Sequence, residues 1–194
     1  MSDEQQEALK KITDEMVTTK THWFEYWQTF SAFDTWQFWA TILIFVAPLI
    51  LLFIFLDRSK AFRIGFFGFG VHMITVYIDA FGTTHGLWEY PFKWLPFLTN
   101  SLGLDASLLP VSYMLLYQFT LRHKKSYLLY MIGLSLVFAF GVKPLMGALD
   151  LFQLYKGMNY AHIFIAYLLL ASIPYWITEG FAKYQDRAAR PSGA

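Results

Sequence analysis

The residues with the greatest chemical potential are ionisable side chains within or beside strongly apolar segments. They are His72, Asp79, His85, Glu89, Asp105, Lys143, Asp150 and His162. Charged groups are costly in hydrocarbon, so such residues pair with one another or mark a functional site. If the apolar segments are membrane helices, their alternating directions bring all of these except His72 to one end of a bundle. This convergence predicts a polar, ligand-binding site there.

Asp79 and Lys143 are predicted to be a structural ion pair, since each lowers the cost of burying the other. The alternatives are a proton or substrate role, or a lysine that acts as a base. His72 is expected to lie near the middle of the membrane, with a hydrogen bond to Tyr113 or Tyr117. The alternative for His72 is a relay to Asp79 through a water or a third side chain.

A metal site is one interpretation of His85, Glu89 and His162, because imidazole and carboxylate groups suit zinc and similar ions. The sequence has no H-E-x-x-H motif, and Gly86 and Pro91 interrupt the segment. A polar, hydrogen-bonded lid is the alternative. No catalytic residue and no cofactor can be assigned, since neither a nucleophile elbow nor a phosphate-binding loop is present.

The stretch 79–110 also holds Trp88, Tyr90 and Trp94, which are predicted to be anchors at the membrane–water boundary rather than a ligand cage. Its prolines exclude a regular helix over the middle of the stretch. We expect residues 82–104 to form a lid, either as a hairpin folded over the mouth of the bundle or as a shallow re-entrant turn.

Composition places the chain in the membrane class. Hydrophobic residues make up 56% of it and charged residues 15%, whereas soluble domains carry about 25% charged residues. The lipid bilayer is therefore an expected partner. A net charge of +1 gives no support for nucleic-acid binding. The absence of cysteine excludes disulfides and thiolate ligands. The acidic, polar N-terminus does not resemble a cleavable signal sequence.

The apolar pattern predicts an all-α polytopic membrane protein with about five transmembrane helices, preceded by an amphipathic helix in residues 1–33. The spans are expected at residues 35–56, 61–81, 106–121, 126–155 and 160–178. Together they form a bundle over residues 34–180, followed by a polar cytoplasmic tail at 181–194. Expected helix caps are Ser2 (with Gln5 in a capping box), Asp34, Asp105 and Asn159. The first helix either lies on the membrane surface or docks on the protein.

The second span carries a polar stripe, formed by Gly65, Gly68, His72, Thr75 and Asp79. These positions recur at helical spacing on one face, which must meet another helix or a cavity because unsatisfied polar groups are costly in lipid. Gly82 is expected to end this helix. In the span 126–155, Pro144 is expected to break the helix.

Lysine and arginine distribution predicts the orientation. With five spans, nine of these residues fall on one side and five on the other. The excess predicts a cytoplasmic C-terminus, with the N-terminus and the lid outside.

The runs FRIGFFGFGVHMITVYIDAFGTTHGLWEYPFKWLPFL, SLGLDASLLPVSYMLLYQFT and KKSYLLYMIGLSLVFAFGVKP resemble a family of small multi-pass membrane proteins from spore-forming Gram-positive bacteria. The resemblance implies a bacterial plasma-membrane location and transfers no catalytic residue. The leading functional hypothesis is an outward-facing site that binds a small ligand, ion or lipid head group, or an accessory role in transport. The alternatives are a metal-dependent membrane enzyme acting on a lipid-linked substrate, and a non-catalytic assembly subunit that forms a homo-oligomer or binds a membrane partner.

Overall fold

The fold is almost entirely helical, which confirms the predicted all-α class. The computed structural model describes residues 1–98 and 100–188. The helices are α1 (Asp3–Phe30), α2 (Trp36–Phe55), α3 (Ala61–Thr84), α4 (Leu109–His123), α5 (Tyr127–Val137), α6 (Lys143–Ala148) and α7 (Tyr160–Ala188). Two short strands, β1 (Trp88–Glu89) and β2 (Gln153–Leu154), pair in antiparallel fashion.

Four helical segments in the described part of the chain are long and apolar enough to cross a membrane. They are Trp36–Phe55, Arg58–Thr84, Tyr127–Ala148 and Tyr160–Ala188. The expectation of five was wrong by this measure, because α4 is not among them. Tyr113, Tyr117 and Thr120 of α4 are buried, so this helix faces protein and carries the polar side chains that this environment tolerates.

The helix starts are partly as expected. The capping box of Ser2 and Gln5 is confirmed, and Asn159 accepts hydrogen bonds from the first backbone amides of α7. Asp34 does not cap α2, because Thr35 takes that position and accepts from the amide of Phe38. Both residues have side-chain oxygens suited to capping, and the sequence did not distinguish between neighbouring candidates.

Gly82 does not end α3, which continues to Thr84. A methyl group added at Gly82 would lie 1.9 Å from Cζ2 of Trp88. The glycine is therefore explained by close packing of the Trp88 indole against the last turn of α3. A glycine near the end of an apolar run suggests a helix stop, but here it serves a contact that is formed only in the folded protein.

Two π-helical turns precede proline residues, and both reshape predicted helices. Leu104–Leu108 leads into α4 with Pro110 in its first turn, and Phe138–Val142 leads into α6 with Pro144 in its first turn. Proline has no N–H to donate and crowds the preceding turn, and the wider π turn accommodates it. Pro144 therefore does not break the helix. Asp105 does not cap α4 as expected, because it lies inside the first π turn.

The ends of the last two predicted spans also differ from expectation. The helical segment that begins at Tyr127 ends at Ala148, and Asp150 has a left-handed backbone with φ of 60°. This turn leads into β2, so residues 149–155 are not helical. Helix α7 continues through Pro174 to Ala188, and residues 181–188 of the expected tail are helical. The remaining tail, 189–194, lies outside the described residues.

Helix α3 is the centre of the bundle and packs against α4 and α7. Helix α4 runs antiparallel to α3: Arg63 contacts Tyr117 at one end, and Asp105 lies beside Asp79 at the other. The ends of α3 and α6 and the start of α4 therefore meet at one end of the bundle. Helix α1 has no buried residue and joins the rest of the protein through its last turns, where Trp27 donates to the carbonyl oxygen of Lys93.

Candidate polar site at the lid end of the bundle

Asp79 lies at the centre of a buried hydrogen-bond network and is only 5% exposed. Its Oδ1 accepts from Nε1 of Trp88 at 2.8 Å and from the hydroxyl of Tyr90 at 2.7 Å. Its Oδ2 accepts from the backbone amide of Ser101 at 3.3 Å. Three donors from the lid thus converge on one carboxyl group.

Asp105 contacts Asp79 carboxyl to carboxyl across the interface between α3 and the first π turn. Its Oδ2 accepts from Nδ2 of Asn100 at 2.8 Å, and the residue is 2% exposed. Burial, followed by the neighbouring Asp79, raises the pKa of Asp105 well above its usual value. An ionised carboxyl group only accepts hydrogen bonds, so a bond between the two carboxyl groups requires a proton on one of them.

Lys143 reaches this pair through Tyr90. The Nζ atom of Lys143 donates to the Tyr90 hydroxyl at 3.0 Å, and that hydroxyl donates to Asp79. The same Nζ lies 3.5 Å from the ring centroid of Phe152, a cation–π contact. Among the described residues, Asp79 and Lys143 form no direct ion pair within 4.0 Å. The predicted direct ion pair is therefore not formed, and the Tyr90 hydroxyl lies between the two side chains.

A small cavity lies against these groups and has a volume of about 30 Å³. Its polar lining comes from Asp79, Tyr90, Asp105, Lys143 and Tyr167. The Tyr167 hydroxyl is buried and has no hydrogen-bond partner in the described part of the chain. A space of ~10–15 Å³ holds one water molecule. The cavity therefore fits a water or a small ion, and a sugar or a lipid head group is too large for it.

The lid covers the site and is fixed on two sides. Strand β1 pairs with β2, with Trp88 opposite Leu154. Lys93 is buried, pairs with Glu89 at 2.9 Å and lies 3.9 Å from the Trp23 ring centroid of α1. Burial lowers the pKa of Lys93, although Glu89 opposes this shift. The lid is thus paired with residues 153–154 rather than folded on itself as a hairpin.

Trp88 and Tyr90 were predicted to be membrane-interface anchors, and this prediction is wrong. Both side chains are buried, and both donate a hydrogen bond to Asp79. Burial, followed by the charge of Asp79, raises the pKa of Tyr90 well above its usual value and keeps the hydroxyl protonated as a donor. Trp94 instead packs edge-on against Phe45 of α2.

His72 joins α3 to the first π turn. Its Nδ1 lies 2.8 Å from the carbonyl oxygen of Asp105, so Nδ1 carries the proton and donates. The expected partners Tyr113 and Tyr117 instead bind Ser135 and Glu179. Pro110 explains why the Asp105 carbonyl is available to His72. In the π turn, the Leu104 carbonyl accepts from the amide five residues later. The corresponding donor for the Asp105 carbonyl would be Pro110, which has no N–H.

The three proposed metal ligands have separate partners. His85 is exposed and its Nδ1 binds the Phe81 carbonyl oxygen, whereas His162 interacts with the backbone of Asn159. Glu89 pairs with Lys93. Within residues 1–98 and 100–188 there is no group of three His, Cys, Asp or Glu side chains that could hold a metal ion. Asp150 is exposed in its turn and does not join the Asp79 cluster.

A second polar cluster lies at the opposite end of the bundle. Arg63 donates to Tyr117 at 2.8 Å and pairs with Glu179 of α7 at 2.6 Å, and the Tyr117 hydroxyl donates to the same carboxylate. This cluster ties α3, α4 and α7 together. Arg63 and Glu179 had no predicted site role, because 116 residues separate them along the chain.

Five contributors to the lid-end site were missed as functional candidates: Trp88, Tyr90, Asn100, Ser101 and Tyr167. Tyr90 lies in a stretch whose mixture of aromatic and charged residues was a usable signal. Tyr167 lies in an apolar helix and gives no such signal in the sequence. Comparison with known proteins found no match to a family model, a curated protein sequence or a solved structure.

Proposed function

We propose that this chain is an integral membrane protein that binds a small inorganic cation at the lid end of its bundle. The observation that carries the proposal is the contact between two buried carboxyl groups, Asp79 and Asp105, beside a cavity of about 30 Å³. Buried acidic groups attract positive charge strongly, because little water screens them. Among the hypotheses of ion, small ligand and lipid head group, the cavity size favours the ion.

The proposed location is a bacterial plasma membrane, with the lid outside and the C-terminus in the cytoplasm. Four apolar helices support membrane insertion. The end of the bundle that carries Arg63 also carries most of the lysine and arginine of the loops, which supports a cytoplasmic position for that end. The resemblance to small multi-pass proteins of spore-forming bacteria supports the same location in the plasma membrane. An accessory role in ion transport follows from a cation site in such a protein.

Thermal unfolding of the purified chain in detergent tests the proposal. Sodium, potassium, lithium and magnesium chloride are compared with choline chloride at equal ionic strength. A bound cation stabilises the folded state by an amount that grows with its concentration, about 2.7 kcal/mol at a hundred times the dissociation constant. Asp79→Asn should lose the stabilisation, whereas the exposed control Asp150→Asn should keep it. Equal unfolding temperatures in every salt would overturn cation binding.

A second candidate function is that of an assembly subunit, and helix α1 favours it. Leu9, Ile12 and Met16 recur on one face and are all exposed. Leu9→Glu combined with Ile12→Glu should reduce the mass of a homo-oligomer measured by light scattering. If the mass is unchanged and binding to lipid vesicles is lost instead, α1 is an interfacial membrane helix. The metal-enzyme hypothesis receives no such support, since its three proposed ligands are not brought together.

A further inference from the structure

The two carboxyl groups differ in their hydrogen-bond partners, and this difference assigns the proton between them. Asp79 accepts from Trp88, Tyr90 and the Ser101 amide. Asp105 accepts from Asn100 alone among the described residues. The group with more donors is the better carboxylate. Asp105 therefore carries the proton and donates it to Asp79.

The charge of the cluster is balanced only while that proton is present. With Asp105 protonated, the negative charge of Asp79 is matched by the ammonium group of Lys143, to which Tyr90 connects it. If the proton leaves, two carboxylates face one ammonium group and a net charge of about −1 is buried, which is strongly unfavourable. One monovalent cation restores neutrality, whereas a divalent cation leaves an excess positive charge of similar cost.

The cavity supplies a place for that cation. Asp79, Asp105 and Tyr167 all line it, together with Tyr90 and Lys143. Tyr167 is 5% exposed, and its hydroxyl has no hydrogen-bond partner in the described chain. Buried polar groups without partners are rare in native proteins, so this hydroxyl is available to a small ligand in the cavity. The hydroxyl oxygen and the carboxylate oxygens are hard donors of the kind that alkali-metal ions accept.

We propose that the proton of Asp105 exchanges for one monovalent cation, which binds in the cavity between the two carboxylates and the Tyr167 hydroxyl. The inference rests on the proposed function and names its ligand and its chemistry. In the exchange, the O–H bond of Asp105 breaks, the proton leaves to water and the cation replaces it, so the total charge is unchanged. No oxidant, reductant or further reactant is needed.

The titrating group has a defined set of neighbours, on every element that packs around it. They are His72 and Asp79 of α3, Tyr90 of the lid, Lys143 of α6 and Tyr167 of α7. His72 binds the backbone carbonyl of Asp105 and is a positioning residue rather than an ion ligand. Lys143 opposes the cation electrostatically, which allows the ion to leave when the proton returns.

The experiment is proton release from the full-length purified chain in detergent, in weakly buffered solution near pH 7 with a pH-indicator dye. Sodium, potassium or lithium chloride is added, with choline chloride as the control for ionic strength. The expected result is release of about one proton per chain at saturation, since one shared carboxyl proton is displaced. Magnesium chloride should release less at equal concentration. Thermal unfolding on the same samples reports cation binding independently of the proton.

Two variants and one control assign the proton and the ion. Asp105→Asn preserves shape, removes the exchangeable proton, and should abolish proton release. Tyr167→Phe should weaken the apparent cation affinity about tenfold, equivalent to about 1.4 kcal/mol, with the release at saturation unchanged. The exposed control Asp150→Asn should match the wild type.

The outcomes separate the inference from the proposed function. Cation-dependent stabilisation of the wild type without proton release would overturn the exchange and leave cation binding intact. Full release from Asp105→Asn would overturn the assignment of the proton. No effect of any metal cation on either readout would overturn both. Stabilisation without proton release, and the absence of any cation effect, are both measured on the wild type. The proposal can therefore be tested even if a variant folds poorly.

Discussion

His72 donates from Nδ1 to the backbone carbonyl oxygen of Asp105 at 2.8 Å. The contact links the polar stripe of α3 to a π-helical turn in which Pro110 leaves the Asp105 carbonyl without a donor from its own helix. It joins the backbone of Asp105 to α3, the helix that also carries Asp79. A histidine in one helix thus positions a carboxyl group in another without touching that carboxyl group.

The first prediction concerns this histidine. His72→Ala leaves the Asp105 carbonyl unpaired, and a buried unsatisfied group costs about 1–3 kcal/mol. We expect a lower free energy of unfolding, measured by denaturant titration in mixed micelles. His85→Ala is the matched control, because the His85 ring is exposed and its Nδ1 interacts with a carbonyl of its own helix. Equal loss of stability in the two variants would contradict the assigned role of His72.

The second prediction concerns the packing of the lid. A Cβ atom at Gly82 would overlap the Trp88 ring, whereas one at Gly133 would meet nothing within 4 Å. Gly82→Ala should displace Trp88 from Asp79 and lower the unfolding temperature, with a changed near-ultraviolet circular dichroism signal. Gly133→Ala should be neutral or stabilising by up to about 1 kcal/mol, because alanine favours helix over glycine. An unchanged unfolding temperature for Gly82→Ala would contradict the close packing of Trp88 against Gly82.

The third prediction is energetic coupling through Tyr90. Asp79→Ala and Lys143→Ala should each lower the free energy of unfolding, and the double variant should cost less than the sum. The expected coupling is about 0.5–3 kcal/mol, typical of side chains in one network. Because the Tyr90 hydroxyl stands between the two charges, the coupling should shrink when the cycle is repeated in Tyr90→Phe. Strict additivity in the original background would refute the network.

The fourth prediction is a pH dependence of stability that comes from Asp105. Its pKa in the folded state is raised by burial and then by Asp79. Between the unfolded pKa and the raised folded pKa, the folded state holds a proton that the unfolded state has released. The free energy of unfolding therefore falls as the pH rises through that interval.

The measurement for Asp105 is the unfolding temperature between about pH 4.5 and 8, above the usual aspartate pKa. The wild type should lose stability as the pH rises, and Asp105→Asn should lose less over the same range. The control Asp150→Asn should follow the wild type. A wild-type profile that rises with pH, or one that Asp105→Asn leaves unchanged, would contradict a proton held by Asp105.

The sequence by itself determined the helical class, the apolar segments and several local features. Apolar length and low charge indicate membrane helices, and the capping box of Ser2 depends on residues within one turn. The stripe from Gly65 to Asp79 predicted a face that packs against protein. Gly68 does pack against Met114 of α4, whereas a Cβ atom at Gly65 would meet nothing within 4 Å. Such features are predictable because local spacing alone defines them.

Only the tertiary structure decided which of the candidate residues meet. Asp79, Asp105 and Lys143 were among eight candidates, and the structure brings these three together while leaving Asp150 and His162 exposed. Tyr90 and Trp88 face inward because β1 pairs with β2, more than sixty positions along the chain. The π turns change which side chains share a helix face, and a regular α-helical period does not predict that change. Tyr167 enters the site only because α7 packs beside α3. These contacts join distant parts of the chain, and local sequence patterns do not encode them.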